Sequence, residues 1–188
     1  MLISPLAIPG LLLIEPKRIA DKRGFFSETF RVDKLEAAVG SGTLVQENHS
    51  YSKKKGTVRG LHYQRPPYAQ GKLIRVTRGA ILDVAVDARR GSPTYGRFNA
   101  VELSADNWRQ LWVPPEFLHG FCTLVDDVEV IYKTTAYYNA DSEGGIRWND
   151  PEIAIPWPVS EADAKLSGKD RMTPFFRDMP PIFEFQSA

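Results

Sequence analysis

Fourteen glycines and fourteen prolines are spread along 188 residues rather than pooled, so turn-forming residues interrupt nearly every apolar run. Runs cut at about ten-residue intervals suit many short strands and leave little room for long helices, which predicts an all-β sandwich or barrel. A hydrophobic content of 43% is enough for one ordinary core at this length, and residues 1–188 read as a single domain. There is no internal repeat, low-complexity tract or linker long enough to divide the chain.

Charge narrows the partners. The 24 basic and 23 acidic residues are interspersed and leave a net charge of +1, so no overall field draws nucleic acid or an anionic membrane. An anionic ligand has to be met by a local cluster. Cys122 is the single cysteine; it reads as a buried small hydrophobe, cannot form an internal disulfide, and fits a cytoplasmic location. Met1 to Ile14 is apolar, but Pro5, Pro9 and Gly10 break it and no basic start precedes it. Neither a signal peptide nor a membrane anchor is expected.

In order, Leu11 to Ile14 reads as an early strand, and Asp21 to Gly24 as a turn delivering Phe25, Phe26 and Glu28. Val32 to Val39 is the best helix candidate, ended by Gly40 and Gly42. Residues 43–50 resume an extended chain, and Lys53-Lys54-Lys55-Gly56 reads as a solvated basic turn. Val58 to Gln64 and Gln70 to Val76 then form two extended runs in succession.

Residues two apart in a strand share a face. His62 therefore faces with Val58 and Gln64, while Lys72 faces with Ile74 and Val76, sending an amine toward an apolar interior. Strict alternation turns Arg59 to the other side, so a bulge or twist re-aims it or it serves a different part of a ligand. Gly79 to Val86 is nearly all apolar, as for a strand covered on both faces. In Pro114 to Phe121, His119 shares a face with Phe117 and Phe121. An unbroken strand from Val128 to Tyr138 would put Val130, Tyr132, Thr134, Ala136 and Tyr138 on one side. Beyond Asn139 the chain is turn-rich and is expected to wrap the barrel.

The three histidines lack metal-ligand spacing: His62-Tyr63-Gln64 stands where a metal-binding barrel would carry His-x-His, so no metal is expected. Phosphate loop, serine elbow and cysteine nucleophile are absent too. What remains is histidine, lysine and tyrosine on adjoining strands, with Lys169-Asp170 late in the chain. Histidine can take a proton, tyrosine can return one, and an ammonium can hold an oxyanion between the two events. That set suits proton abstraction beside a carbonyl. Each member also has an ordinary alternative, as a core histidine, a snorkelling lysine or a packed ring, and the residues alone leave both readings open.

Whole blocks in order weigh more than single residues. Asp21 to Glu28, Gln46 to Ser50, Gly56 to Gln64, Gln70 to Val76, Asp83 to Arg89, Pro114 to Phe121, Tyr132-Lys133 and Ser167 to Asp170 resemble the dTDP-4-dehydrorhamnose 3,5-epimerase family. The resemblance runs from about Ile14 to Asp170. It implies a cupin-like jelly-roll barrel with one or two short peripheral helices and a wrapping C-terminal tail, a homodimer, and an isomerase of rhamnose biosynthesis that needs no metal or coenzyme. The implied substrate is dTDP-4-dehydro-6-deoxy-D-glucose, epimerised at carbons 3 and 5.

By the same resemblance His62 matches the general base, Asp170 the carboxylate that orients it, Lys72 the stabiliser of the enolate oxygen and Tyr132 the acid on the opposite face. Arg23, Glu28, Gln46, Asn48, Arg59, His119, Glu143 and Lys169 match substrate-contacting positions, with Phe26 and Tyr138 expected to line the nucleotide or sugar pocket. Two departures stand out: Glu116 replaces the family's usual glycine, which could mark a positive φ, and Leu118 replaces alanine. Both are expected near His119. The alternatives are an epimerase of one carbon only, on another nucleotide-linked 4-keto sugar, and a catalytically silent jelly roll that binds nucleotide-sugars.

Overall fold

The structure is a computed structural model that describes residues 1–40 and 43–186. Its elements are β1 (Leu2–Pro5), β2 (Leu12–Glu15), β3 (Arg18–Asp21), β4 (Gly24–Ser27), α1 (Val32–Val39), β5 (Gln46–Ser52), β6 (Val58–Gln64), β7 (Lys72–Arg78), β8 (Ala80–Asp87), β9 (Phe98–Ser104), β10 (Gln110–Val113), β11 (Phe117–Thr123), β12 (Val128–Thr134), β13 (Glu143–Gly145) and α2 (Gly168–Arg171). The strands make two antiparallel sheets, ordered β1-β2-β10-β7-β12-β5 and β13-β6-β11-β8-β9, plus a separate β3–β4 ribbon. From β5 to β13 each strand crosses to the other sheet except β9, which stays beside β8, giving a jelly roll.

Alternation along the strands decides what lies between the sheets. Ile74 and Val76 of β7, Leu111 and Val113 of β10 and Val130 of β12 pack against Ile81 and Ala85 of β8, Leu103 of β9 and Phe121 of β11. Residues of opposite parity face outward and are covered in turn. Val84, Val86 and Leu118 lie beneath Ile146, Ile153, Phe176, Met179 and Phe183, so the C-terminal tail wraps the five-stranded sheet as expected. On the other side, Leu73 and Trp112 pack with Ile14 and with Leu35 of α1. The helix occupies the expected residues and ends at Gly40, whose φ of 88° suits glycine and whose N–H bonds Glu36 O. Gly42, the second expected stop, lies outside the described residues.

One expectation fails. The strand read from Val128 to Tyr138 ends at Thr134, so Tyr138 is not in register with Tyr132. Side chains capture the carbonyls that a longer ladder would need: Gln70 Nε2 donates to Ala136 O at 2.8 Å and Gln64 Nε2 to Tyr137 O at 3.2 Å. The N-terminal strand β1 pairs with β2 of its own chain, at the edge of the six-stranded sheet. Among the described residues no helix is long and apolar enough to cross a membrane.

Candidate active site

The β6–β11 ladder is irregular where it matters. His62 opposes His119, but three residues back Arg59 opposes Phe121, only two residues on. The extra residue on β6 is a bulge, and it returns Arg59 to the face of His62. Gly60 makes room for it: φ is +126°, and a Cβ there would lie 2.6 Å from Gly120 Cα and 2.8 Å from His119 O. The parity conflict seen in the sequence is resolved by distortion. Arg59 is then anchored by Nε donating to Ser52 Oγ at 3.2 Å and Nη2 to Tyr51 O at 3.0 Å.

Between the sheets opens a cavity of about 250 Å³. Arg59, His62 and His119 line it from the five-stranded sheet; Ser50, Lys72, Ile74, Val130 and Tyr132 line it from the six-stranded sheet; Lys169 and Asp170 of α2 complete it. A second cavity of about 140 Å³ shares His62, Lys72 and Tyr132 and adds Gln46, Asn48, Tyr138 and Glu143. Lys72 lines the cavity with Ile74, as alternation predicted. Arg59, Lys72 and Lys169 form the local cationic cluster that a near-neutral chain needs for an anionic ligand.

His62 Nε2 lies 2.6 Å from Asp170 Oδ1. The aspartate is 4% exposed and is fixed by Ser167, which caps α2, accepting from Asp170 N at 3.1 Å and donating to Oδ2 at 2.8 Å. Burial alone would raise the Asp170 carboxyl, but the bonds from His62 and Ser167 outweigh it and hold the group below its usual range. An ionised carboxylate only accepts, so Nε2 carries the hydrogen and Nδ1 keeps the lone pair. A second pair repeats the arrangement: His119 Nε2 lies 2.9 and 3.1 Å from the two oxygens of Asp83, whose exposure is 0%.

Burial pushes the Lys72 amine down to about 8, with Asp83 and then Glu143 pulling the other way. Burial likewise raises the Tyr132 phenol, so it holds its proton at neutral pH; Arg59 opposes that shift and Glu143 adds to it. Neither Lys72 Nζ nor Tyr132 Oη has a hydrogen-bond partner among the described residues. Glu143 accepts from Tyr138 Oη at 2.8 Å and pairs with Lys169, joining the outer cavity to α2. Gln46 Nε2 donates to Asn48 Oδ1 at 2.9 Å and its Oε1 accepts from Tyr138 N at 2.9 Å.

The model of the family described as dTDP-4-dehydrorhamnose 3,5-epimerase matches residues 5–178. The chain belongs to this family. The dTDP-4-dehydrorhamnose 3,5-epimerase of Sinorhizobium fredii is 48% identical over 98% of this chain and 94% of its own. That of Salmonella typhimurium is 50% identical over 93% of this chain and 94% of its own. The crystal structure of the Legionella pneumophila dTDP-6-deoxy-D-glucose-3,5-epimerase, in complex with dTDP-4-keto-L-rhamnose, superposes with a TM-score of 0.93 at 42% identity, covering 98% of each chain. The mostly β, cupin-like architecture is thus that of the epimerase family.

For a chain of the epimerase family, three expected site residues stand apart. Arg23 pairs with Asp21 at 2.6 Å, Glu28 lies 3.8 Å from Arg31, and Phe26 is 69% exposed; none lines either cavity. Their ribbon packs instead on the segment before β10, with Phe25 edge-on to Trp108 at 4.9 Å. Glu116 does adopt a positive φ, 73°, but neither it nor Leu118 lines a cavity; Leu118 packs in the outer core beneath the tail. Asp83, Ser167 and Ser50 are additions to the site. Two carried a sequence signal: Asp83 is the lone charge in the apolar run 79–86, and Ser167-x-x-Asp170 is a helix-capping spacing. Among the described residues no group of three or more His, Cys, Asp or Glu is placed to hold a metal.

Proposed function

We propose that the chain epimerises carbons 3 and 5 of dTDP-4-dehydro-6-deoxy-D-glucose, giving dTDP-4-dehydro-L-rhamnose. The observation that carries the reading is the 2.6 Å His62–Asp170 bond on one wall of a cavity whose facing wall bears Tyr132 and Lys72. The substrate's ketone at carbon 4 acidifies the C–H bonds at carbons 3 and 5, because either carbanion delocalises onto the ketone oxygen. His62 Nδ1 takes the proton, and Asp170 stabilises the resulting imidazolium. The electron pair moves onto the ketone oxygen, where the Lys72 ammonium meets it. Tyr132 returns a proton to the opposite ring face, which inverts the carbon. Imidazolium and phenolate then exchange their proton with solvent before the second carbon reacts. The ketone itself supplies the activation, so the scheme calls on no metal or coenzyme.

Arg59 and Lys169 serve as contacts to the diphosphate, arginine offering a fork suited to phosphate oxygens, and His119 serves as a contact to the sugar. Gln46, Asn48, Tyr138 and Glu143 serve the outer part of the ligand. Arg23, Phe26 and Glu28 stand away from their own chain's cavity, so they act as substrate contacts only in a homodimer that carries the β3–β4 ribbon to the partner's cavity. The exposure of Ile19, Phe25 and Phe26 on that ribbon supports such an assembly. A single domain over 1–188 is supported by the tail packing onto the sheets, and a cytoplasmic location by the one, buried cysteine.

The test is incubation with the substrate in deuterated water, following exchange at carbons 3 and 5 by NMR. Exchange at both, lost in His62→Ala, is expected. Exchange at one carbon alone would make the chain a single-carbon epimerase, and tight binding without exchange would make it a binding module.

A further inference from the structure

One buried charge behind the cavity wall, bonded to His119, has no part in the scheme above. Asp83 lies on the inward face of β8 with Ile81 and Ala85, wholly shielded from solvent. A carboxylate in such surroundings is tolerated only when it is paired. His119 Nε2 reaches both of its oxygens, at 2.9 and 3.1 Å, yet one N–H is a small share of what two carboxylate oxygens can accept.

The other carboxylates near the cavity are committed. Asp170 serves His62 and Ser167, and Glu143 serves Tyr138 and Lys169. The Lys72 amine, which has no hydrogen-bond partner among the described residues, lines the same cavity as His119, the residue that holds Asp83, and Asp83 is the larger of the two charges that oppose the lowering of the amine by burial. His62, His119, Tyr132, Arg59 and Lys169 also line its cavity, and none of them supplies a negative charge at neutral pH.

We propose that Asp83 is a positioning residue of the epimerase: its buried carboxylate locks the His119 ring as the Nε2–H tautomer and is the counter-charge that keeps Lys72 an ammonium. The proposal rests on Lys72 being the group that meets the enolate oxygen. His119 then presents Nδ1 as an acceptor, suited to a sugar hydroxyl. A neutral amine at residue 72 would leave the enolate without its cation, so Asp83 sets the pH range over which the site works without touching the substrate.

The variant Asp83→Asn separates charge from packing. Its amide oxygen still accepts from His119 Nε2–H, while the negative charge is gone. Lys72 is followed by NMR of protein carrying carbon-13 at the lysine ε positions, assigned with Lys72→Met, with no substrate present. The midpoint should fall below that of the native protein by about one unit or more, and the alkaline limb of the exchange assay should move the same way. A Lys72 midpoint unchanged in Asp83→Asn overturns the proposal.

The native protein gives a second reading if the variant does not fold. Nitrogen-15 spectra of His119 should report the Nε2–H tautomer, and an Nδ1–H ring overturns the lock. Failure of the epimerase reading looks different. A lysine shift without any deuterium exchange supports the counter-charge while removing the activity, whereas full exchange with an unshifted lysine overturns the inference alone.

Discussion

Arg59 and His62 are three residues apart on β6, yet they oppose Phe121 and His119, which are two apart on β11. The irregularity brings a guanidinium and an imidazole to one cavity, and it depends on the absence of a side chain at residue 60. Gly60→Ala should therefore destabilise by about 2 kcal/mol or more, because the new Cβ meets backbone on the neighbouring strand as well as an unfavourable φ. Gly91→Ala, at φ +79° with nothing within 4 Å, should lose only about 1 kcal/mol. Urea unfolding of both variants measures the difference, and equal losses would place the strain in φ alone.

Lys72 gives stability a pH signature. The amine is pushed from 10.5 down to about 8 in the folded chain, so between those values the unfolded chain binds the extra proton. The native protein should accordingly gain stability as pH rises through that window. Lys72→Met removes the titrating group, so its stability advantage over the native protein should be largest below pH 8 and shrink toward pH 10.5. Denaturant curves at four or five pH values decide it; a constant difference would mean the amine is not desolvated.

Asp170 gives stability the same upward slope with pH, but over an acidic window and through a favourable charge rather than a costly one. Its carboxyl is held below the ordinary value, so the stability it contributes is present above about pH 4 and is lost as pH falls through the folded value. Asp170→Asn should be less stable than the native protein by about 1–3 kcal/mol near neutrality, where the histidine partner and the α2 cap are disrupted. That gap should narrow on acidification. A gap that widens instead would contradict an ionised carboxylate at this site.

Glu116 occupies a left-handed position, at φ 73°, with burial raising its carboxyl. A side chain in that conformation costs about 1–2 kcal/mol, and glycine returns part of the gain through backbone entropy. Glu116→Gly is expected to stabilise by about 0.5–1 kcal/mol and to leave exchange at carbons 3 and 5 unchanged, since Glu116 does not line the cavity. Lower stability in calorimetry would show that the side chain contributes more than the conformation takes away.

Much of the architecture was legible because period-two alternation is a local property. It matched β6 to its observed residues and pointed Lys72 inward with Ile74, while the loss of that alternation after Asn139 anticipated the wrapping tail. What escaped depends on contacts between distant segments. After Thr134 the carbonyls of Ala136 and Tyr137 are taken by Gln70 and Gln64 from across the fold, with Thr134 Oγ1 also donating to Ala136 O, and only that last contact is local to residues 128–138. The bulge at Gly60 was framed as a conflict of parity, but its solution lies in Gly120, sixty residues later. Asp83 was passed over within a run read as a strand buried on both faces. The ribbon bearing Arg23 and Phe26 joined the site by resemblance alone, and its own chain gives it no place at the cavity.

The proposed base and acid come from different sheets: His62 from the five-stranded one, Tyr132 from the six-stranded one. A ring bound between them has each face addressed by a separate slab of the sandwich. The separation between base and acid is therefore set by the apolar packing around Ile81, Leu103 and Leu111. Stereochemistry in this chain is a matter of spacing, and a methyl group removed far from any sugar would act as a shim taken out from between two plates.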